Sequence, residues 1–183
     1  MNLKQYHRYS VNFTGKWAKA TLISMGISLF LSTVYYFCFR SIDSIGFAEC
    51  LFSLILPILI CIGFIALIRI FHLNSPGIFA IMGAALCIFL LVGTFSSGSI
   101  LRIILAGIWY PLSALVLIAC AGGFLPGKLP ASIMFVVTLV ARILLFGLRL
   151  REASALVHEA SDLCLILSLA CLPMMFRPGK NRI

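Results

Sequence analysis

The residues that could do chemistry are concentrated between Arg142 and Asp162, in the stretch RILLFGLRLREASALVHEASD. Three of the chain's five acids fall here, with three arginines and one of the three histidines: Glu152, Glu159, Asp162, Arg142, Arg149, Arg151 and His158. Most of the sequence around them is apolar. Ionisable groups in or against a bilayer are costly, so they tend to be paired and to serve a function. A working site is therefore expected in this stretch.

The composition indicates an integral membrane protein. Of the 183 residues, 62% are hydrophobic and only 10% are charged, whereas soluble domains average about 25% charged residues. The mean hydropathy is +1.15. The net charge is +9, and the charged residues lie between the apolar runs. This placement predicts that they determine topology and contact the lipid bilayer rather than nucleic acid. The predicted fold is all-α, a polytopic bundle of transmembrane helices.

Six apolar runs divide the chain into spans. After a basic interfacial tail, residues 1–19, they cover about 20–39, 50–68, 78–95, 102–122, 131–150 and 156–176, and a basic tail follows at 177–183. Pro57 is expected to kink the second span, because proline removes a backbone donor. Trp109, Tyr110 and Pro111 interrupt the fourth. This trio either lines a ligand cavity or fills the gap left by a kink, and packing is the favoured interpretation.

The sixth span is the least regular. Its charge-free part, residues 163–176, has 14 residues, too few to cross a hydrocarbon core of about 30 Å. A full crossing must start near Leu156 or Val157, which brings His158 and Glu159 to the membrane boundary and carries Asp162 below it. The alternative is a five-span protein whose last apolar segment lies in the interface.

The distribution of basic residues predicts the topology. Six spans leave nine lysines and arginines on the side that holds both ends of the chain and four on the other, with Arg142 inside a span. Cytoplasmic loops carry the excess of basic residues. We therefore expect a multi-pass protein of the cell membrane with both ends in the cytoplasm. Five spans would leave the basic tail on the outer side.

The fifth and sixth spans form a charged helical hairpin. Arg142 and Asp162 lie at similar depth on antiparallel neighbours, so the two side chains can meet, and Glu159 could pair with Arg149. One interpretation is structural, a ladder of ion pairs that fixes the register of the hairpin. The other is a polar site for a ligand, an ion or protons.

Two catalytic patterns can be drawn in the same stretch. HEASD resembles the metalloprotease motif HExxH, but Asp162 stands where the second histidine would be, so no metal site is predicted. Ser154, His158 and Asp162 share a helical face without a nucleophile elbow or an oxyanion hole. An intramembrane enzyme using His158, Glu159 and Asp162 is kept as an alternative. No glycine loop could cradle phosphate, and no cofactor is predicted.

A ladder of small residues marks the first span. Ala20, Ser24, Ser28 and Ser32 recur at every fourth position, a pattern that lets another helix approach closely, either from this chain or from a membrane protein partner. In size, span count and small-residue first helix, the chain resembles the substrate-binding membrane subunits of energy-coupling-factor vitamin importers. That resemblance implies that the ladder stands where the family docks its coupling subunit. The expected function is a non-enzymatic transport subunit or membrane-complex partner.

Overall fold

The computed structural model describes residues 9–39, 55–70, 75–95, 100–125, 127–147 and 153–178. Six α-helices make up most of this part of the chain. The elements in order are β1 (Tyr9–Val11), α1 (Lys16–Val34), a π-helical turn (Tyr35–Phe39), α2 (Leu56–Arg69), α3 (Pro76–Phe95), α4 (Ile100–Ala121), α5 (Leu129–Gly147), α6 (Ala153–Cys171), a 3₁₀ turn (Pro173–Met175) and β2 (Phe176–Pro178).

Four of the helical segments are long and apolar enough to cross a membrane. They are Lys16–Phe39, Pro76–Phe95, Ile100–Ala121 and Ala153–Met175. The other two apolar helices, Leu56–Leu67 and Leu129–Leu144, are shorter. Residues 50–54 and 148–150, which the sequence prediction added to these two spans, lie outside the described residues. The helical fold is therefore confirmed, and within the described residues four helices are long and apolar enough to cross a membrane, so the six predicted spans are not all confirmed.

The distribution of polar and apolar side chains is compatible with a membrane protein. Large apolar side chains such as Ile23, Phe30 and Ile108 are more than half exposed, whereas the small polar side chains Thr21, Ser24, Ser28, Ser113, Ser132, Thr138, Ser161 and Ser168 are buried. Many of the hydroxyls donate to a carbonyl one turn earlier, as Ser113 does to Trp109 O at 2.8 Å. Small hydroxylated residues between helices are typical of membrane bundles, where they allow close packing without unsatisfied polar groups.

One helix boundary differs from the sequence prediction, and a second lies at the edge of the described residues. The first helix starts at Lys16, four residues before the predicted span, because lysines can take helical geometry while their ammonium groups reach the interface. Lys16 also lies over the Trp17 ring, 5.3 Å from its centroid. Pro57 is the second residue of α2 as described, and the residues before Ile55 lie outside the described part of the chain. The kink predicted there thus falls at the edge of the described range.

A two-stranded antiparallel sheet, which the sequence did not predict, joins the two ends of the described chain. Ser10 is opposite Arg177, and Val11 is opposite Phe176. The Asn12 N–H extends the ladder by donating to Met175 O at 2.9 Å, and Lys128 Nζ donates to Phe176 O at 2.8 Å. We call this assembly of β1, β2 and Lys128 the terminal clamp. It holds the start of α1, the end of α6 and the start of α5 at one end of the bundle.

Successive helices alternate in direction. At the end that holds the terminal clamp, Phe79 near the start of α3 packs on Phe13 and, edge to face, on Phe64 near the end of α2. Gly83 of α3 lies so close to α4 and α6 that a Cβ added there would stand 2.5 Å from a methyl of Leu117 and 2.8 Å from one of Leu172. The absence of a side chain at Gly83 therefore sets how closely these three helices approach.

The terminal clamp can be tested by cross-linking. Because antiparallel partners have Cα separations that a disulfide can bridge, Ser10→Cys combined with Arg177→Cys should form a disulfide on mild oxidation, seen as a linked peptide by mass spectrometry. Each single variant serves as a control for the native cysteines. Recovery of unlinked peptides from folded, oxidised double variant would contradict the pairing.

Gly83 should be far more sensitive than a lipid-facing glycine. Gly83→Leu must push α3 away from Leu117 and Leu172, and we expect a loss of about 1–3 kcal/mol in the free energy of unfolding. Gly107→Leu is the matched control, since Gly107 is exposed and nothing lies within 4 Å of its added Cβ. The measurement is thermal unfolding in detergent, and equal stability of the two variants would contradict the close approach.

Candidate functional site

Arg142 of α5 lies between two carboxylates of α6. Its Nη1 donates a hydrogen bond to Glu159 Oε2 at 3.1 Å and stands 3.6 Å from Asp162 Oδ2. The side chains are largely buried, with exposed fractions of 20% for Arg142, 13% for Glu159 and 16% for Asp162. The structure thus brings together the Arg142–Asp162 pair that the sequence predicted. It also adds Glu159 to the same guanidinium at the shorter distance.

The register of α5 against α6 places these charges at one level. Near the terminal clamp, Ser132 Oγ donates to Ala170 O at 2.7 Å across the two helices. Arg142 lies ten residues further along α5, and Asp162 and Glu159 lie eight and eleven residues back along α6. At about 1.5 Å per residue, the cluster is roughly 20 Å from the terminal clamp.

Helix α4 contributes two aromatic side chains at the same level. Tyr110 is buried, and its hydroxyl lies within electrostatic range of the Arg142 guanidinium. The neighbouring Trp109 donates from Nε1 to Thr138 Oγ1 of α5 at 2.7 Å. Pro111 is exposed and α4 continues through it. The aromatic pair therefore joins α4 to α5 rather than interrupting its own helix.

His158 and the π-helical turn form the outer part of the site. The His158 imidazole stacks on the Tyr35 ring with centroids 4.9 Å apart and an angle of 26° between the planes. Tyr35 in turn meets the buried Tyr36 edge to face at 5.4 Å. His158 is exposed and lies one helical turn from Asp162, within electrostatic range of that carboxylate. π-Helical turns occur frequently at functional sites.

The small-residue ladder of α1 faces α6 of the same chain. Ser161 Oγ donates to the Ser28 carbonyl at 2.8 Å and lies 3.2 Å from Ser28 Oγ and 2.9 Å from Ser32 Oγ. Ser24 is buried and donates to Ala20 O at 2.8 Å. Because Ser161 is adjacent to Asp162, this hydroxyl cluster borders the charged one and fixes α1 against α6 beside it.

Some of the residues predicted to belong to the charged cluster lie outside the part of the chain that the structure describes. Arg149, expected to pair with Glu159, falls outside the described residues, as do Arg151 and Glu152. Sequence reasoning missed Tyr35 and Ser161 as neighbours of the site. Neither carries a sequence signal, because each comes to the site only through the packing of α1 against α6.

The Arg142 cluster holds several ionisable groups but no recognisable set of metal ligands among the described residues. Among the described residues, no group of three or more histidine, cysteine, aspartate or glutamate side chains could hold a metal ion. The cavity between α1, α2, α3 and α6, lined by Thr21, Gly83 and Ser168 among others, measures about 10 Å³, room for about one water. The cluster around Arg142 combines a cation, two carboxylates, an imidazole and two phenols.

Comparisons with known proteins do not identify a family for this chain. No family model, no curated protein and no solved structure matches this chain.

The Arg142–Glu159 pair should behave as a coupled unit. Arg142→Gln leaves two buried carboxylates without their cation, and removing one partner of a buried pair costs about 3 kcal/mol or more in stability. Arg142→Gln combined with Glu159→Gln should recover part of that loss, as measured by thermal unfolding in detergent. Lys19→Gln, which removes an exposed cation, should change stability little. Additive losses in the double variant would show that the contact contributes no coupling energy.

Proposed function

We propose that this chain is a non-enzymatic integral membrane protein, a transport subunit or a partner in a membrane complex, whose ligand site is the cluster around Arg142. The observation that carries the proposal is the convergence of ionisable and aromatic side chains from α4, α5, α6 and the π-helical turn. Intramembrane ionisable groups of this kind mark ligand, ion and proton pathways.

A purely structural role explains the cluster less well. The register of α5 on α6 is already specified by Ser132 and Ala170, and that of α1 on α6 by Ser161 with Ser28. Neither contact needs a charge. A register device requires one ion pair, whereas this cluster also includes Tyr110 and a stacked His158. The additional groups favour a site that binds something.

We further propose six crossings with both ends in the cytoplasm. Support comes from the terminal clamp, because residues 9–11 and 176–178 can pair only on the same side of a membrane. Five crossings would separate them. The same end of the bundle carries Lys16, Lys19, Lys128 and Arg177, and basic residues are enriched on the cytoplasmic side.

A protein partner would contact the outer face of α1. The small-residue ladder cannot serve that purpose along its whole length, since Ser28 and Ser32 already bond with Ser161. The opposite face of the helix presents Ile23, Ile27 and Phe30, each 46% or more exposed. We therefore assign the partner contact to these three residues, which remain free for a helix of another membrane subunit.

Purification in mild detergent tests the proposal. A nucleotide-binding subunit should co-purify with the wild-type chain, directly or through a second membrane subunit. It should be lost when Ile23, Ile27 and Phe30 are changed together to alanine. The matched control changes Ile104, Leu105 and Ile108, an exposed apolar face of α4, and should keep the complex. A chain that purifies alone and binds no small molecule or ion would contradict the proposed function.

A further inference from the structure

The end of the bundle that holds the terminal clamp carries exposed positive charge without a balancing acid. Lys16, Lys19 and Arg177 are all exposed there, and none of them forms an ion pair with an acid in the described part of the chain. The two acids that the structure describes, Glu159 and Asp162, lie roughly 20 Å away between α5 and α6. This end of the bundle therefore attracts an anion from outside the chain.

The Arg177 guanidinium is held in place by the strand that pairs with it. With the Asn12 amide oriented so that its oxygen faces the guanidinium, this oxygen accepts hydrogen bonds from Arg177 Nη2 at 2.7 Å and from Nε at 3.1 Å. The Asn12 amide also packs on Gly15, the residue before α1, so closely that a Cβ added to Gly15 would collide with it. Arg177 is therefore fixed beside the first turn of α1, and its other N–H groups have no acceptor within the described residues.

Two lysines of α1 lie next to this guanidinium. Lys16 and Lys19 are three residues apart, so their side chains are neighbours on one helical face. Ile23 and Ile27 continue that face and are 63% and 46% exposed. Trp17 is also exposed, and Lys16 Nζ lies 5.3 Å from the centroid of its ring. The cations thus lie where the apolar surface of the helix begins, beside an indole of the kind that is enriched at the level of lipid headgroups.

Lys128 has a different role at the same end of the bundle. Its Nζ donates to Phe176 O at 2.8 Å and lies 3.5 Å from Met174 O. The ammonium group therefore serves to hold the end of α6 against the start of α5. Its charge adds to the positive potential of this end, but its hydrogen bonds are directed into the chain.

The exposed cations and the indole at this end are called the headgroup surface: Lys16, Trp17, Lys19 and Arg177. We propose that the headgroup surface binds the phosphate group of an anionic phospholipid. The planar guanidinium of Arg177 can donate to two phosphate oxygens at once, and the two lysines neutralise the charge of the headgroup. A lipid fits better than an acidic protein, because the apolar face of α1 begins directly beside the cations. The inference goes beyond the proposed function and depends only on its membrane location.

Thermal unfolding of the full chain in detergent, with lipid added, tests this proposal. Phosphatidylglycerol should raise Tm, whereas phosphatidylcholine, which has no net charge, and inorganic phosphate at the same concentration should not. The rise with phosphatidylglycerol should shrink as salt is added, because exposed charges are screened. Equal stabilisation by phosphatidylcholine would overturn the proposal, and equal stabilisation by inorganic phosphate would replace the lipid with a free anion.

Charge variants show where the lipid binds. Titration of phosphatidylglycerol against Tm gives an apparent affinity, which Arg177→Gln should weaken about fivefold and the pair Lys16→Gln with Lys19→Gln about 25-fold. The matched control is Arg102→Gln, which removes one cation near the start of α4, at the opposite end of the bundle, and should keep the affinity of the wild type. An equal loss in Arg177→Gln and Arg102→Gln would show that only net charge matters and would overturn the proposed site.

A variant that keeps every charge tests the orientation of Arg177. Asn12→Ala removes the amide that holds the guanidinium, so the affinity for phosphatidylglycerol should fall about two- to tenfold, because the side chain must then be immobilised on binding. Unfolding in phosphatidylcholine alone shows that the variant is folded, and if it is not, the comparison of Arg177→Gln with Arg102→Gln decides. Unchanged affinity in folded Asn12→Ala would contradict an oriented site.

The lipid titration is independent of co-purification with another subunit. Specific stabilisation by phosphatidylglycerol in a chain that purifies alone and binds no small molecule would support the headgroup surface and remove the transport-subunit proposal. A complex that forms with a nucleotide-binding subunit but shows no preference between the two lipids would do the reverse.

Discussion

The guanidinium of Arg142 constrains the rest of the bundle. A lone arginine at the centre of a membrane helix costs roughly 2.5–3.5 kcal/mol or more, and carboxylates at contact distance reduce that cost. Glu159 and Asp162 can both reach it only because they lie one turn apart on the face of α6 that packs on α5. A shift of α6 along α5 would separate the carboxylates from Arg142 and leave a buried charge unpaired. The position of α6 therefore depends on these three charged residues.

Close approach between helices makes this geometry possible. Gly83 lets α3 reach α4 and α6, and hydroxyls at Ser28, Ser132 and Ser161 bond across helix pairs where larger side chains would separate them. Lipid gives no hydrophobic advantage to burying a leucine, so such contacts carry much of the association between membrane helices. The charged cluster therefore lies on a scaffold that is already held in register by neutral groups.

Several features of the fold could be predicted from the sequence because they depend on local composition. Long apolar runs predict membrane helices, and the position of Asp162 ahead of a charge-free segment of 14 residues predicts that an acid is drawn below the surface. The terminal clamp was not predictable. Tyr9–Val11 and Phe176–Pro178 are three residues each, too short for an alternating pattern, and they meet only because the helices between them return the chain to its starting side.

The sequence by itself indicated that ionisable residues near positions 142–162 tend to be paired, because an unpaired charge in hydrocarbon is costly. It also determined that Ala20, Ser24, Ser28 and Ser32 would lie on one helical face, since the spacing of four fixes that. Only the tertiary structure decided that Arg142 makes its closer bond with Glu159, that Tyr110 and Tyr35 join the site, and that the ladder faces Ser161 of the same chain. These contacts link residues up to 133 positions apart, and no local pattern specifies which helices will be neighbours.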